Sequence, residues 1–167
     1  RYHYAGEDAI LQVALAPGAP VTVTKRLMVD TAGRAEKHDC RLHTHLAETR
    51  DENEYCLAHF GCRPLDYIEE CGWLTDRVWL GHGIHFDDGE VKRLGRHGVG
   101  VCHCPTSNMR LGSGIAPLRA LLDAGTRVGL GVDGSASNDG SHLLDEVRHA
   151  MLLQRVAHGA RAFSARE

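Results

Sequence analysis

Residues 41–50 read RLHTHLAETR. His43 and His45 lie two apart, the spacing by which a strand points two imidazoles to one side. Glu48 follows His45 by three, so a strand end and its loop could offer a metal ligand and a proton carrier. His82 ends the apolar run RVWLGHGI, 77–84, and Asp133 ends RVGLGVDG, 127–134. Neutral imidazole and carboxylate bind Zn²⁺ or Fe²⁺. A water activated by such an ion needs a carboxylate to manage its protons. Each residue alone has an ordinary use: a strand-end His packs, and Asp133-Gly134 is a common turn pair. Jointly they point to a metal or acid–base site.

These side chains need elements to hold them. Short apolar runs begin at residues 11, 41, 77, 99 and 127, about 30 residues apart on average. Amphipathic segments lie between them. Leu27, Met28, Ala32 and Ala35 give residues 23–39 helical spacing. Two helical pieces, DENEYCLAHFG and PLDYIEECG, are broken between Gly61 and Pro64. Asp87 and Glu90 form a capping-box pattern that opens a helix to about Gly98. TSNMRLGSGIAP reads as a loop from its Gly, Ser, Asn and Pro content. PLRALLDAG reads as a helix ended by Gly125. The last helix places Leu143, Leu144, Val147, Ala150, Met151 and Val156 on one face and stops at Gly159. Near-continuous apolar strands are buried on both faces and therefore parallel. Both a (β/α)8 barrel and a doubly wound sheet have this repeat. No G-x-G-x-x-G loop follows a strand. In parallel α/β folds the C-terminal strand ends form the active face, and that is where these polar residues fall.

The 167-residue chain is 43% hydrophobic and 25% charged, ordinary for a globular protein. A net charge of −3 leaves no excess of cations to neutralise phosphates, so no nucleic-acid partner is expected. No apolar stretch approaches the ~18 residues of a membrane span, and the start RYHYAGED is no signal peptide. A cytoplasmic protein without a membrane partner is the expectation. The six cysteines, at 40, 56, 62, 71, 102 and 104, show no C-x-x-C pair and read as reduced and mostly buried. Within a strand His103 faces away from Cys102 and Cys104, which suits packing better than a metal site. Trp73 and Trp79 read as hydrophobic anchors.

The set HTHLAE, WLGHGI, CHCPTSNMRLGSGIAP and VGLGVDGSASNDG resembles the metal-dependent amidohydrolase superfamily. It is most similar to the hydrolytic deaminases of amino-heterocycles, 8-oxoguanine deaminase and the hydroxyatrazine and triazine hydrolases, over about residues 11–157. The resemblance implies one divalent metal, Zn or alternatively Fe, held by His45 and Asp133. It implies that Glu48 carries protons to a ring nitrogen, that His82 orients the attacking water and that Asp133 also takes a proton from it. The implied reaction is metal-activated hydroxide attack on the amine-bearing ring carbon of an 8-oxoguanine-like purine, with loss of ammonia. Ser135 and Asn138 are candidate substrate contacts. A triazine, guanine or cytosine amidohydrolase is the alternative substrate reading.

Counting back from Asp133 as the eighth strand makes the five runs strands 4 to 8 of a TIM-like barrel. His43 then lies one layer below His45 as a packing or supporting residue, not as half of a tandem ligand pair. The family's strand-1 His-x-His, its first three strands and its flanking β-sandwich have no counterpart here. The expectation is a single domain over 1–167, the C-terminal five-eighths of a barrel. Alone it would be inactive, an incomplete fragment or a binding module that lacks the strand-1 ligands. A homo-oligomer, or a complex with the missing N-terminal half, would complete it.

Overall fold

The computed structural model describes residues 12–166. Five strands run in chain order: β1 (Ala14–Leu15), β2 (Arg41–Leu46), β3 (Val78–His82), β4 (Gly100–His103) and β5 (Arg127–Leu130). They form one parallel sheet in the order β1-β2-β3-β4-β5. The first apolar run is a strand for two residues only, and its Leu11 lies outside the described residues. Helices fill the crossovers: α1 (Lys25–His38), α2 (Arg50–Phe60), α3 (Pro64–Glu70), α4 (Asp88–Arg96), α5 (Pro105–Leu111), α6 (Leu118–Asp123) and α7 (Leu143–His158). Sequential parallel order with a helix in every crossover is the barrel pattern, not the reversed order of a doubly wound sheet.

Local chemistry explains most boundaries. Thr49 and Asp87 are N-caps whose side chains accept the Glu52 and Glu90 amides. Pro64 starts α3 at a position where its missing N–H costs nothing. Gly61, in the left-handed region, ends α2.

The main core lies between the sheet and its helices. Met28, Leu46, Leu65, Ile68, Trp73, Leu80, Leu94, Val101 and Leu121 meet there. Trp73 is fully buried and donates its indole N–H to the Met28 carbonyl at 2.9 Å. The other sheet face is less covered. On β2, Leu42, Thr44 and Leu46 are buried while His43 and His45 are half-buried. Burial on both faces was therefore too strong an expectation for β2 and for β5, where Arg127 and Gly129 are exposed.

Two further expectations are corrected. Residues 106–111, read as the start of a loop, form α5 together with Pro105, which fixes its first turn; Gly112, at φ 68, closes it. The short helix hides behind loop-like composition. α7 has its expected bounds, but Glu146, Ala150 and Gln154 are its buried residues. Leu143, Leu144, Val147 and Val156 are exposed. Among the described residues β5 pairs only with β4, so no strand extends the sheet beneath that apolar face.

Candidate active site and metal centre

Three strand ends leave the sheet in the same unusual way. Ala47, His82 and Asp133 have φ of 54°, 68° and 63°, in the left-handed region that non-glycine residues avoid at a cost of about 1–2 kcal/mol each. The kinks gather side chains from β2, β3 and β5 over one mouth. Gly81, paired with His45 in the sheet, leaves the space the imidazoles need. A Cβ there would stand 3.2 Å from His45 Cδ2 and 3.6 Å from His43 Cε1.

His82 is the hub. It is 1% exposed, and its ring centroid lies 5.1 Å from that of His45. Nε2 lies 3.7 Å from Glu48 Oε2 and 3.9 Å from Asp133 Oδ2. Nδ1 lies 2.9 Å from Asn108 Oδ1. With that oxygen accepting, Nδ1 carries the proton and Nε2 presents its lone pair to the mouth. Donor atoms of His45, His82 and Asp133 all lie within 4.8 Å of one another. Two imidazole nitrogens and a carboxylate are a donor set that zinc takes. The cluster thus includes His82 along with the two expected ligands.

Asp133 is held ionised. Burial alone would push its carboxyl up, but hydrogen bonds outweigh burial and hold it below the usual carboxylate range. They come from Ser107 (2.5 Å), Ser137 (3.1 Å) and the Gly134 amide, with His82 close by. His43 supports the cluster from below. Its ring stacks on Trp79 at 4.8 Å, and Nδ1 lies 3.2 Å from the Trp79 carbonyl. Burial lowers its pKa, with His45 and His82 adding to that and the carbonyl opposing it.

Ser135 is exposed on the loop after Asp133. Asn138 is 4% exposed, and its amide is spent on the Val132 carbonyl (2.9 Å) and the Glu146 carboxylate (2.8 Å). It staples the loop that carries Asp133. His103 is fully buried with neither ring nitrogen partnered, and burial pushes its pKa down to about 4. All six cysteines are free thiols.

Sequence reasoning sets Ser107 and Asn108 at the end of the fourth run and leaves Ser137 open between substrate contact and loop former, but it assigns none of them its partner, Asp133 or His82. It also missed Glu52, whose carboxylate accepts the Glu48 amide at 2.9 Å. The usable signal was Thr49-x-x-Glu52, the same pattern recognised at Asp87-x-x-Glu90.

The amidohydrolase family model matches residues 3–167. The chain is 56% identical over 160 residues to 8-oxoguanine deaminase of Pseudomonas aeruginosa, covering 96% of this chain and 36% of that protein. It is 43% identical over 159 residues to 5-methylthioadenosine/S-adenosylhomocysteine deaminase of Desulforudis audaxviator, covering 95% and 37%. Its fold matches an adenosine deaminase from Xanthomonas campestris with bound zinc at a TM-score of 0.87 and 35% identity, covering 90% of this chain and 35% of that one. The chain therefore spans about a third of the length of these relatives.

Proposed function

Because the chain belongs to the amidohydrolase family, we propose that it carries the C-terminal half of the active site of a metal-dependent hydrolytic deaminase. The substrate class is an amino-substituted heterocycle, an 8-oxoguanine-like purine. The observation that carries this reading is the convergence of Glu48 and Asp133 on His82 Nε2, beside His45. The purine choice leans on the 56% identical relative, and zinc leans on the bound ion of the structural neighbour.

His45 and Asp133 would hold the ion, with His82 within reach of the same position. A divalent ion bound there supplies Lewis-acid activation of water at neutral pH. His82 orients that water through Nε2 because Asn108 fixes the proton on Nδ1. Asp133, kept ionised by Ser107 and Ser137, accepts a proton from the water. Glu48 delivers a proton to the ring nitrogen next to the attacked carbon. The hydroxide bonds to the amine-bearing ring carbon; the proton taken by Asp133 then passes to the exocyclic amine, the hydroxyl proton of the adduct returns to Glu48, and the C–N bond breaks to release ammonia and leave the carbonyl. The polypeptide that completes the barrel supplies the remaining ligands, so this chain alone is inactive.

Ammonia release tests the reading, on the chain alone and on it joined to the completing polypeptide with zinc added. The substrates are 8-oxoguanine, guanine, 5-methylthioadenosine, cytosine and an amino-triazine. The completed protein is expected to favour 8-oxoguanine. Asp133→Asn should lower turnover by about 10³-fold or more. No ammonia from any ring, or turnover indifferent to Asp133→Asn, sinks the proposal.

A further inference from the structure

We infer that Glu52 is a positioning residue: its buried carboxylate pins the Ala47–Glu48 turn in the left-handed kink that aims Glu48 at His82. The inference rests on the proposed role of Glu48 as proton carrier and extends it to a residue outside the cluster.

The Ala47–Glu48 turn is held from two sides. The Ala47 carbonyl accepts the Ile84 and His85 amides, both at 2.9 Å, from the segment after β3. On the other side Glu52 Oε2 accepts the Glu48 amide at 2.9 Å. Between these clamps Ala47 sits at φ 54°, a conformation an alanine keeps only when its surroundings enforce it.

A helix cap is the plainer explanation, and geometry argues against it. A capping glutamate three residues into a helix reaches back to the N-cap amide, here Thr49. Glu52 reaches one residue further, to Glu48. Its side chain is also costly for a cap. Glu52 is 8% exposed, its Oε1 lacks a hydrogen-bond partner, and it makes no ion pair among the described residues. Burying an uncompensated carboxylate costs more than a cap returns. A carboxyl oxygen so placed fixes the amide of the very residue that must be aimed, which is what a strained turn beneath a reacting group requires.

The test uses Glu52→Ala and Glu52→Gln with two readouts. In the deaminase-active protein, Glu52→Ala should lower kcat about 100-fold with KM and bound metal within about threefold, the size of effect expected when a reacting group is misplaced by about 1 Å. Glu52→Gln should recover kcat to within about tenfold of the parent, since its amide oxygen still accepts. Adding Glu52→Ala to Glu48→Gln should cost nothing further, because it acts through Glu48. In the ¹⁵N-labelled chain, the Ala47 and Glu48 amides should exchange at least about tenfold faster in Glu52→Ala, with later α2 amides unchanged. An unchanged kcat in Glu52→Ala overturns the inference while leaving the deaminase reading intact. So does exchange that rises equally throughout α2, which marks a purely structural role. If no deamination is found in any form, the exchange readout alone decides whether Glu52 holds the turn.

Discussion

Two glutamates occupy the same position in neighbouring strand-to-helix turns and live under opposite conditions. Glu52 in α2 and Glu90 in α4 each stand three residues after an N-cap, Thr49 or Asp87, and donate their amides to it at 3.2 and 2.9 Å. Glu90 returns the contact to the Asp87 amide at 2.8 Å and is gripped by Arg63 at both oxygens, at 2.8 and 2.7 Å. Its charge is compensated and its bonds are complete. Glu52 passes over its N-cap to reach the Glu48 amide, keeps one oxygen unpartnered and faces no cation among the described residues. One motif thus gives two outcomes. In the turn after β3 the carboxylate is fully satisfied; in the turn that presents Glu48, the proposed proton carrier, satisfaction is given up for placement.

Removing each carboxylate should expose the difference. Glu90→Ala takes from the partly buried Arg63 its bidentate carboxylate and leaves it only Asp87 at 3.6 Å and the His85 carbonyl, and should destabilise the chain by about 3 kcal/mol in denaturant unfolding. Turnover per folded molecule should not change. The gentler substitution to Gln should act with opposite sign at the two sites. Burial pushes the Glu52 carboxyl up to about 7 from 4.5. A carboxyl that binds its proton more tightly when folded stabilises the fold fully below its unfolded pKa, and loses that contribution as pH rises through the folded one. Over a shift of this size the loss is about 3 kcal/mol. Glu52→Gln should therefore gain about 2–3 kcal/mol over the parent at pH 8 and little at pH 4. Glu90→Gln should lose stability at pH 8, because Arg63 loses its closer, bidentate counter-ion and keeps only Asp87 at 3.6 Å. Unfolding at the two pH values checks both signs; a pH-independent gain in Glu52→Gln would break the contrast.

The contrast also marks how far the sequence could be read. His45, Glu48, His82 and Asp133 were legible because each ends an apolar run, and strand ends share one mouth by construction. The sheet order was legible only through the family resemblance, since the repeat alone suits a barrel and a doubly wound sheet alike. Ser107 and Asn108 could be placed at a strand end but not given a task, because their partners, Asp133 and His82, each lie 26 residues away. Nor does sequence announce a left-handed kink at Ala47, His82 or Asp133, since no glycine stands there. α7 misleads in another way: its apolar stripe is real, but Leu143, Leu144, Val147 and Val156 are exposed, and among the described residues β5 pairs only with β4. Glu52 was hidden because the pattern predicts a cap, and the departure from that cap depends on backbone geometry.

The smallest effect separates the two turns most directly, since it alters neither carboxylate. Thr49→Ala and Asp87→Ala each remove one N-cap acceptor, and each should cost about 1 kcal/mol in thermal or denaturant unfolding. Their consequences for turnover should part. Thr49 Oγ1 anchors the first turn of α2, from which Glu52 reaches the Glu48 amide, so loosening that turn loosens the placement of Glu48. A fall in kcat of about fivefold is expected for Thr49→Ala. For Asp87→Ala the Glu90 carboxylate stays fixed by Arg63, and His82, at the far end of that turn, is held separately by Asn108, so kcat should hold. Steady-state rates normalised to folded protein make the comparison. Equal rates in the two variants would mean that the Glu52 contact survives a frayed helix start, and the distinction between the two glutamates would then rest on their charge alone.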